Sequence, residues 1–337
     1  MYTFKKLILA ALIVPVFASP AHAGDLTQRK DVQGFMATMQ EKHGFSAESL
    51  NKWLKQTRIQ PSIIKAISRP AEKKPWHVYR NIFLTESRID GGVDFWNQHA
   101  GLLKQAHEKY GVDPEVIVGI IGVETRYGRH KGTYRVIDAL ATLGFDYPPR
   151  SKFFLSELKH YLLMTREEKV DPMSLKGSYA GAMGQPQFIS SSYRSYAIDF
   201  DNDGKRDIWN NPADAIGSVA NYLARHGWQR GKPITQQIAV DANTTASLLK
   251  EKKLKPSHTI ASLKSKGINN IQANIDIDAK AAMINLEGKK AYEHWIGLNN
   301  FYAITRYNHS ALYAMAVYQL AQEIRQRRDT QLAKKDA

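Results

Sequence analysis

Apolar residues in this chain recur mostly three and four apart, the spacing that lines one face of an α-helix. Between 31 and about 74, Val32, Phe35, Met36 and Met39, then Leu50, Trp53 and Leu54, mark short helices. The Pro70–Pro75 region breaks them, and 83–96 reads as a polar segment studded with aromatics. The most regular helices follow at 114–127, 136–143 and 153–164. A glycine-rich stretch at 177–188 precedes a polar aromatic helix at 191–197, a loop of alternating acids, and another helix at 213–226. After Gly231 the pattern changes: 234–240, 281–286 and 291–296 read as strands among Lys-, Ser- and Thr-rich pieces, a small α+β insertion. Helical spacing resumes at Ser310 through Leu312, Tyr313, Met315, Ala316, Val317 and Leu320, with a charged end from Glu323 that should fray.

The first segment follows a different rule. Lys5 and Lys6 precede an apolar run from Leu7 to Phe17 and the small-residue end Ala21-His22-Ala23. This is the layout of a secretory leader, and the run is too short to span a membrane. A mature chain beginning near Gly24 is expected. Removing the leader's two lysines takes the formal net charge from +15 to +13. An exported protein so basic concentrates anionic envelope polymers at its clefts. No zinc-finger spacing, phosphate loop or aromatic-basic motif points to nucleic acid. With no cysteine at all, disulfides, thiolate catalysis, Cys-ligated zinc and a lipidated N-terminal cysteine are excluded.

One carboxylate stands out. Asp113-Pro114 is a helix start, an Asx cap followed by proline. From Val116 to Val123 every residue is apolar or glycine, and Glu124 then falls on the face of Ile117 and Ile120. Loss of hydration and the negative pole of the helix both favour the protonated acid, as a general acid near neutral pH requires. Arg126 and Arg129 leave a second reading open, in which Glu124 forms a structural ion pair. Gly177, Gly181 and Gly184 admit close backbone approach, and the amide of Gln187 beside Phe188 suits a sugar. Tyr222 and Tyr313 read equally as core residues with satisfied hydroxyls.

The segment Gly122-Val123-Glu124-Thr125-Arg126-Tyr127-Gly128 resembles the catalytic-glutamate motif of the membrane-bound lytic transglycosylase B family, lysozyme-like enzymes that cleave peptidoglycan. Ser178-Tyr179-Ala180-Gly181-Ala182-Met183-Gly184-Gln185-Pro186-Gln187-Phe188 is similar to that family's second motif. Further similarities lie at 83–89, 214–222 and 300–317, in the family's order and over most of the mature chain. The resemblance implies a mainly α fold. A signal peptide (1–23) precedes an N-terminal helical region (24–90) and a lysozyme-like catalytic core (91–230). A small inserted α+β subdomain (231–296) and a C-terminal helical segment (297–337) that completes the core follow.

It further implies that Glu124 is the sole catalytic acid and base. Glu124 protonates the oxygen between N-acetylmuramic acid and N-acetylglucosamine, then takes the proton of the muramoyl 6-hydroxyl as it closes on C1. The substrate's 2-acetamido group takes the second carboxylate's part. Ser178 and Gln187 would position that sugar, and Tyr222, Tyr307 and Tyr313 would line the cleft. The alternatives are a hydrolytic muramidase using the same acid with water, and a non-catalytic peptidoglycan-binding scaffold.

Asp199, Asp201 and Asp203 occupy positions 1, 3 and 5 of a calcium-loop pattern, with Gly204 at 6 and Asp207 at 9. Position 12 is Asn210 rather than Glu, and Lys205 and Arg206 bring positive charge to the ring. An Asx-rich turn facing water fits the same residues. The resemblance includes an EF-hand-like calcium loop here, closed by a later aspartate for which Asp214 is the candidate. The histidines show no paired metal-ligand spacing. No cofactor is expected for catalysis and structural Ca2+ is the one ion. The expected partners are peptidoglycan glycan strands and cell-wall synthesis or envelope machinery. The chain should be a monomer in the periplasm, without a membrane anchor or nucleic acid.

Overall fold

The computed structural model describes residues 25–68, 74–240, 244, 246–268 and 270–335. The leader expected at 1–23 lies outside the described residues. The chain divides into two compact units between Arg58 and Ile59.

In the first unit, α1 (Lys30–His43) and α2 (Ala47–Gln56) meet at a tight corner. Gly44 takes φ 65° to end α1, and the Ser46 hydroxyl accepts the Ser49 N–H to start α2. Val32, Met36, Met39, Leu50 and Leu54 are buried, as their spacing predicts.

The second unit is a helical core carrying one inserted sheet. It opens with α3 (Pro61–Ile67), α4 (Trp76–Tyr79), α5 (Glu86–Gln98) and α6 (Ala100–Tyr110). The central helix α7 (Pro114–Thr125) is buried along almost its whole length, as the unbroken apolar run requires. Its cap departs from expectation. Asp113 is the N-cap residue but its side chain makes no capping hydrogen bond, lying instead 3.9 Å from His107 Nδ1.

The chain continues through α8 (Val136–Asp146), α9 (Ser151–Glu167), α10 (Ser190–Tyr196) and α11 (Pro212–Arg225); α8 and α10 pack on α9, and α11 packs on α7 and α6. The short strands β1 (Tyr134–Arg135) and β2 (Lys176–Gly177) pair antiparallel ahead of the glycine-rich loop. The insertion contributes β3 (Thr235–Ile238), α12 (Ala246–Leu249), β4 (His258–Thr259), α13 (Ile260–Ser265), β5 (Lys280–Glu287) and β6 (Tyr292–Gly297). Its strands form an antiparallel sheet in the order β3-β6-β5-β4, with Met283 opposite Ile296. Ile238, Leu263, Ile268, Met283 and Ile296 build its own apolar core.

The chain then re-enters the core through α14 (Asn299–Tyr307) and α15 (Ala311–Lys335). α15 packs along α7 and α5, and Gly119 allows the approach, since a Cβ there would stand 3.0 Å from the Val317 carbonyl. Two expectations need correction. The aromatic segment at 83–96 is largely the helix α5, whose Arg88, Ile89 and Val93 are buried. The charged end of the chain does not fray at Glu323: α15 continues to Lys335. Arg327 holds Glu86 and Asp90 of α5 at 2.7 Å each, which ties the charged turns to the core.

Candidate active site

Glu124 sits in the last turn of α7, which ends when Arg126 and then Tyr127 take left-handed conformations (φ 49° and 61°). Neither residue is glycine, so the turn is strained, and it is held by tertiary contacts. Tyr127 Oη donates to the Arg88 carbonyl at 2.6 Å. Its ring occupies the space over Gly122, where a Cβ would come within 2.6 Å of the hydroxyl. The Thr125 hydroxyl donates to the Gln185 carbonyl at 2.9 Å and accepts the Gly128 N–H. The end of α7 is thereby joined to the glycine-rich loop.

Glu124 is half-buried. Tyr313 Oη, 189 positions away on α15, donates to Glu124 Oε1 at 2.6 Å. Desolvation pushes the Glu124 pKa up to about 7, and the Tyr313 hydrogen bond pulls the other way by favouring the carboxylate. Among the described residues these two are the causes of the shift. Among the described residues Glu124 has no ion pair, so the structural pairing with Arg126 or Arg129 is not what the fold builds.

Beside the acid lies a shell of aromatic rings. Tyr307 stacks on Tyr313 (6.4 Å between centroids, 11° between planes) and meets Tyr222 at 4.7 Å and Phe188 at 5.8 Å. Tyr222 Oη donates to the Arg306 carbonyl at 2.5 Å, and Tyr307 Oη to the Pro186 carbonyl at 2.7 Å. Burial, and then the Glu124 charge, hold the Tyr307 and Tyr313 hydroxyls well above their usual pKa, so both stay protonated donors. Three of the sequence-predicted residues, Tyr222, Tyr307 and Tyr313, are therefore brought together around Glu124. Tyr196, stacked edge-on against Tyr222 at 4.8 Å, and Tyr79, close enough to raise the Tyr313 pKa, belong to the same shell and were not singled out from sequence. A tyrosine on a short helix carries no local signal of the cleft it faces.

Ser178 and Gln187 occupy the glycine-rich loop, where both also shape it. Ser178 Oγ accepts the Ala180 and Ala182 N–H groups at 3.3 and 3.0 Å. Gln187, with φ 51°, donates its amide nitrogen to the carbonyls of Gly184 (2.9 Å) and Lys131 (3.3 Å). Among the described residues, neither the Ser178 hydroxyl proton nor the Gln187 amide oxygen has a hydrogen-bond partner. The loop is pinned by Met183 pairing with Phe188 across an antiparallel bridge.

In the acidic loop, Asp199, Asp201 and Asp203 bring one carboxylate oxygen each within 4.8 Å of one another. Asp199 accepts the N–H groups of Asp203 and Gly204, and Asp203 that of Lys205, folding the loop around them. Arg206 is drawn out of the ring, paired with Glu168 and stacked over Tyr193. Asp207 accepts from the Trp209 and Asn210 N–H groups at 2.9 Å. Asp214, fully buried, accepts from Phe200 and Asp207 at 2.8 and 2.7 Å and clamps the loop from behind. Asn210, where position 12 of the pattern falls, is held at 3.3 Å by Lys131 Nζ. Three clustered carboxylate oxygens fit a hard, oxygen-liganded cation such as Ca2+. Saturating calcium should therefore raise the melting temperature by preferential binding to the folded chain, and Asp203→Asn should shrink that increment. Differential scanning calorimetry of the metal-stripped protein with and without calcium checks both; an unchanged wild-type Tm excludes the ion.

Residues 27–322 match the family described as Transglycosylase SLT domain. The chain is 45% identical over 311 residues to membrane-bound lytic murein transglycosylase B of Escherichia coli K12, covering 89% of this chain and 84% of that one. The crystal structure of soluble lytic transglycosylase SltB1 from Pseudomonas aeruginosa superposes with a TM-score of 0.83 at 49% identity, over 89% of this chain and 99% of the other. Escherichia coli lytic transglycosylase Slt35, solved in complex with calcium, gives the same TM-score at 43% identity, over 91% and 96%.

Proposed function

This chain belongs to the Transglycosylase SLT domain family, and on that premise we propose that it is a periplasmic lytic transglycosylase in which Glu124 alone carries the proton chemistry of glycan cleavage. Glu124 with its Tyr313 donor carries this reading. With a pKa near 7 the group is partly protonated at the pH of use and can give a proton to the glycosidic oxygen. The resulting carboxylate is then held by Tyr313 and ready to take a proton back, so one residue performs both transfers. Glycosidases that hydrolyse through two carboxylates set them either side of the bond. The second role falls to the substrate in this reading, while desolvation and the Tyr313 donor tune Glu124 for the proton transfers.

The bond broken is that between N-acetylmuramic acid and N-acetylglucosamine. As the C1–O bond breaks, the leaving sugar takes the Glu124 proton and the 2-acetamido oxygen supports the developing charge at C1. The muramoyl 6-hydroxyl then bonds to C1 and returns its proton to Glu124, giving a 1,6-anhydro end with no water consumed. Tyr307, half-buried, faces the sugars and buried Tyr222, stacked on His226, backs it, while Ser178 and Gln187 offer a donor and an acceptor. Structural calcium would be held by Asp199, Asp201 and Asp203 and take no part in these steps. A glycan whose muramoyl residue lacks the 6-hydroxyl tests the reading. It should bind but remain uncut, because nothing is left to close on C1; release of hydrated fragments from it would establish the muramidase instead.

A further inference from the structure

Thr125 follows the catalytic candidate and is buried at the end of α7. A threonine inside a helix ordinarily gives its hydroxyl proton to the carbonyl four residues back. Here that carbonyl, of Ile121, stands 3.2 Å away, and the Gln185 carbonyl of the glycine-rich loop is nearer, at 2.9 Å. Gly128 permits the approach, since a Cβ there would stand 3.2 Å from the Gln185 side chain. Gln185 is buried in turn, and its N–H donates to the Ile208 carbonyl at 2.9 Å. Pro186 has a fixed φ and confines the preceding Gln185 to extended backbone. Gln185-Pro186 is thus a stiff crosspiece that presents one carbonyl to Thr125 and the next to Tyr307 Oη, at 2.7 Å.

These bonds close a circuit. From Glu124 it passes through the Tyr313 hydroxyl to the Tyr307 ring stacked on that tyrosine, and from the Tyr307 hydroxyl to Pro186. It returns through Gln185 to Thr125, the covalent neighbour of Glu124. Three parts of the chain, α7, the glycine-rich loop and the α14–α15 pair, are each held to the other two. An open chain of contacts lets its ends drift, whereas a closed one fixes every member from two sides. We infer that Thr125 is a positioning residue for glycan cleavage: its hydroxyl closes the circuit and keeps Glu124 in register with the loop that carries Ser178 and Gln187.

The inference rests on the transglycosylase reading, which seats the sugar between that acid and that loop. Proton transfer needs the donor within hydrogen-bond reach of the departing oxygen, and a misplacement of about 1 Å can cost 10²-fold in rate. The loop keeps its own shape without Thr125, through the Met183–Phe188 bridge and the bond from Gln185 to Ile208. Loss of the hydroxyl should therefore act on kcat more than on KM.

Steady-state cleavage of soluble glycan strands by the full mature protein tests the circuit. Thr125→Val removes the hydroxyl and leaves the Gln185 carbonyl and the Gly128 N–H without it, whereas Thr125→Ser keeps it. Tyr307→Phe opens the same circuit on its far side and keeps the ring. Thr125→Val and Tyr307→Phe should each lower kcat roughly tenfold with KM within about twofold of wild type, and Thr125→Ser should retain most of the activity. Because one break already opens the circuit, the double variant Thr125→Val/Tyr307→Phe should be about as slow as either single one; independent effects would multiply to roughly a hundredfold. Tyr161→Phe removes a buried hydroxyl of α9 bonded to the Pro172 carbonyl at 2.7 Å, outside the circuit, and should lower the melting temperature while leaving kcat unchanged. Multiplying losses, an inactive Thr125→Ser, or a Tyr161→Phe as slow as Thr125→Val would overturn the assignment. If Thr125→Val does not fold, Tyr307→Phe decides alone, and an unchanged kcat overturns the circuit. Hydrated wild-type products would sink the transglycosylase reading by itself, since the coupling of Thr125 to Tyr307 is read from the rate whichever nucleophile reaches C1.

Discussion

Glu124→Gln should lower the rate of glycan cleavage by about 10²–10⁴, the range typical of a positioned proton-transfer group, while the protein still binds glycan. Glutamine has nearly the same volume and can accept the 2.6 Å hydrogen bond from Tyr313, so the shell of rings is preserved. It can neither give a proton to the departing oxygen nor take one from the 6-hydroxyl. Turbidity loss of purified sacculi measures the rate and sedimentation with sacculi measures binding. Near-wild-type turnover would remove Glu124 from the mechanism. Tyr222→Phe should cost much less, because it deletes one hydroxyl bonded to a backbone carbonyl and keeps the ring.

The same substitution should stabilise the fold at alkaline pH. The Glu124 pKa is raised from 4.5 to about 7 in the folded chain, so the native state holds this proton more tightly than the unfolded state. Its contribution to stability is then complete below about pH 4.5 and is lost as pH rises through 7. Glutamine does not ionise and keeps the contribution throughout. At pH 8 the variant should exceed wild type by up to about 3 kcal/mol, and the gap should close toward pH 4.5. Urea unfolding at fixed calcium across that range checks the sign and the window. A variant less stable than wild type at pH 8 would mean that the carboxylate is stabilised rather than strained by its surroundings.

Much of this architecture was legible in the sequence because α7 is apolar on every side. Such a run is buried, the Asp113-Pro114 start marks it as a helix, and a glutamate at its end loses water. Three of the four strands of the inserted sheet were readable from their β-rich runs, with ends displaced by one or two residues, whereas the two-residue β4 was not. Helix α5 was obscured by Gly91 and Gly92, which weaken a helical pattern. Both glycines are needed for space: a Cβ on Gly91 would meet the Tyr127 ring at 3.1 Å, and one on Gly92 would meet Ile324 at 2.4 Å. Helix α6 was missed altogether, with only Leu103 and Ala106 fully buried along eleven residues. The resemblance named Tyr313 as a cleft residue, but its hydrogen bond to the catalytic candidate needs two helices 189 positions apart to be packed together. The acidic loop was readable as a cluster, whereas the turning away of Arg206 toward Glu168 depends on a helix end distant in sequence.

Whether Glu124 directs the substrate's own hydroxyl, rather than water, onto C1 is answered by the products. Digestion of purified sacculi in water enriched in heavy oxygen, followed by mass spectrometry of the released muropeptides, reads the outcome at each new muramoyl end. Closure through the 6-hydroxyl predicts ends lighter by one water than hydrolysed ones and carrying no label. Hydrated ends bearing the heavy oxygen would contradict it and make the protein a muramidase.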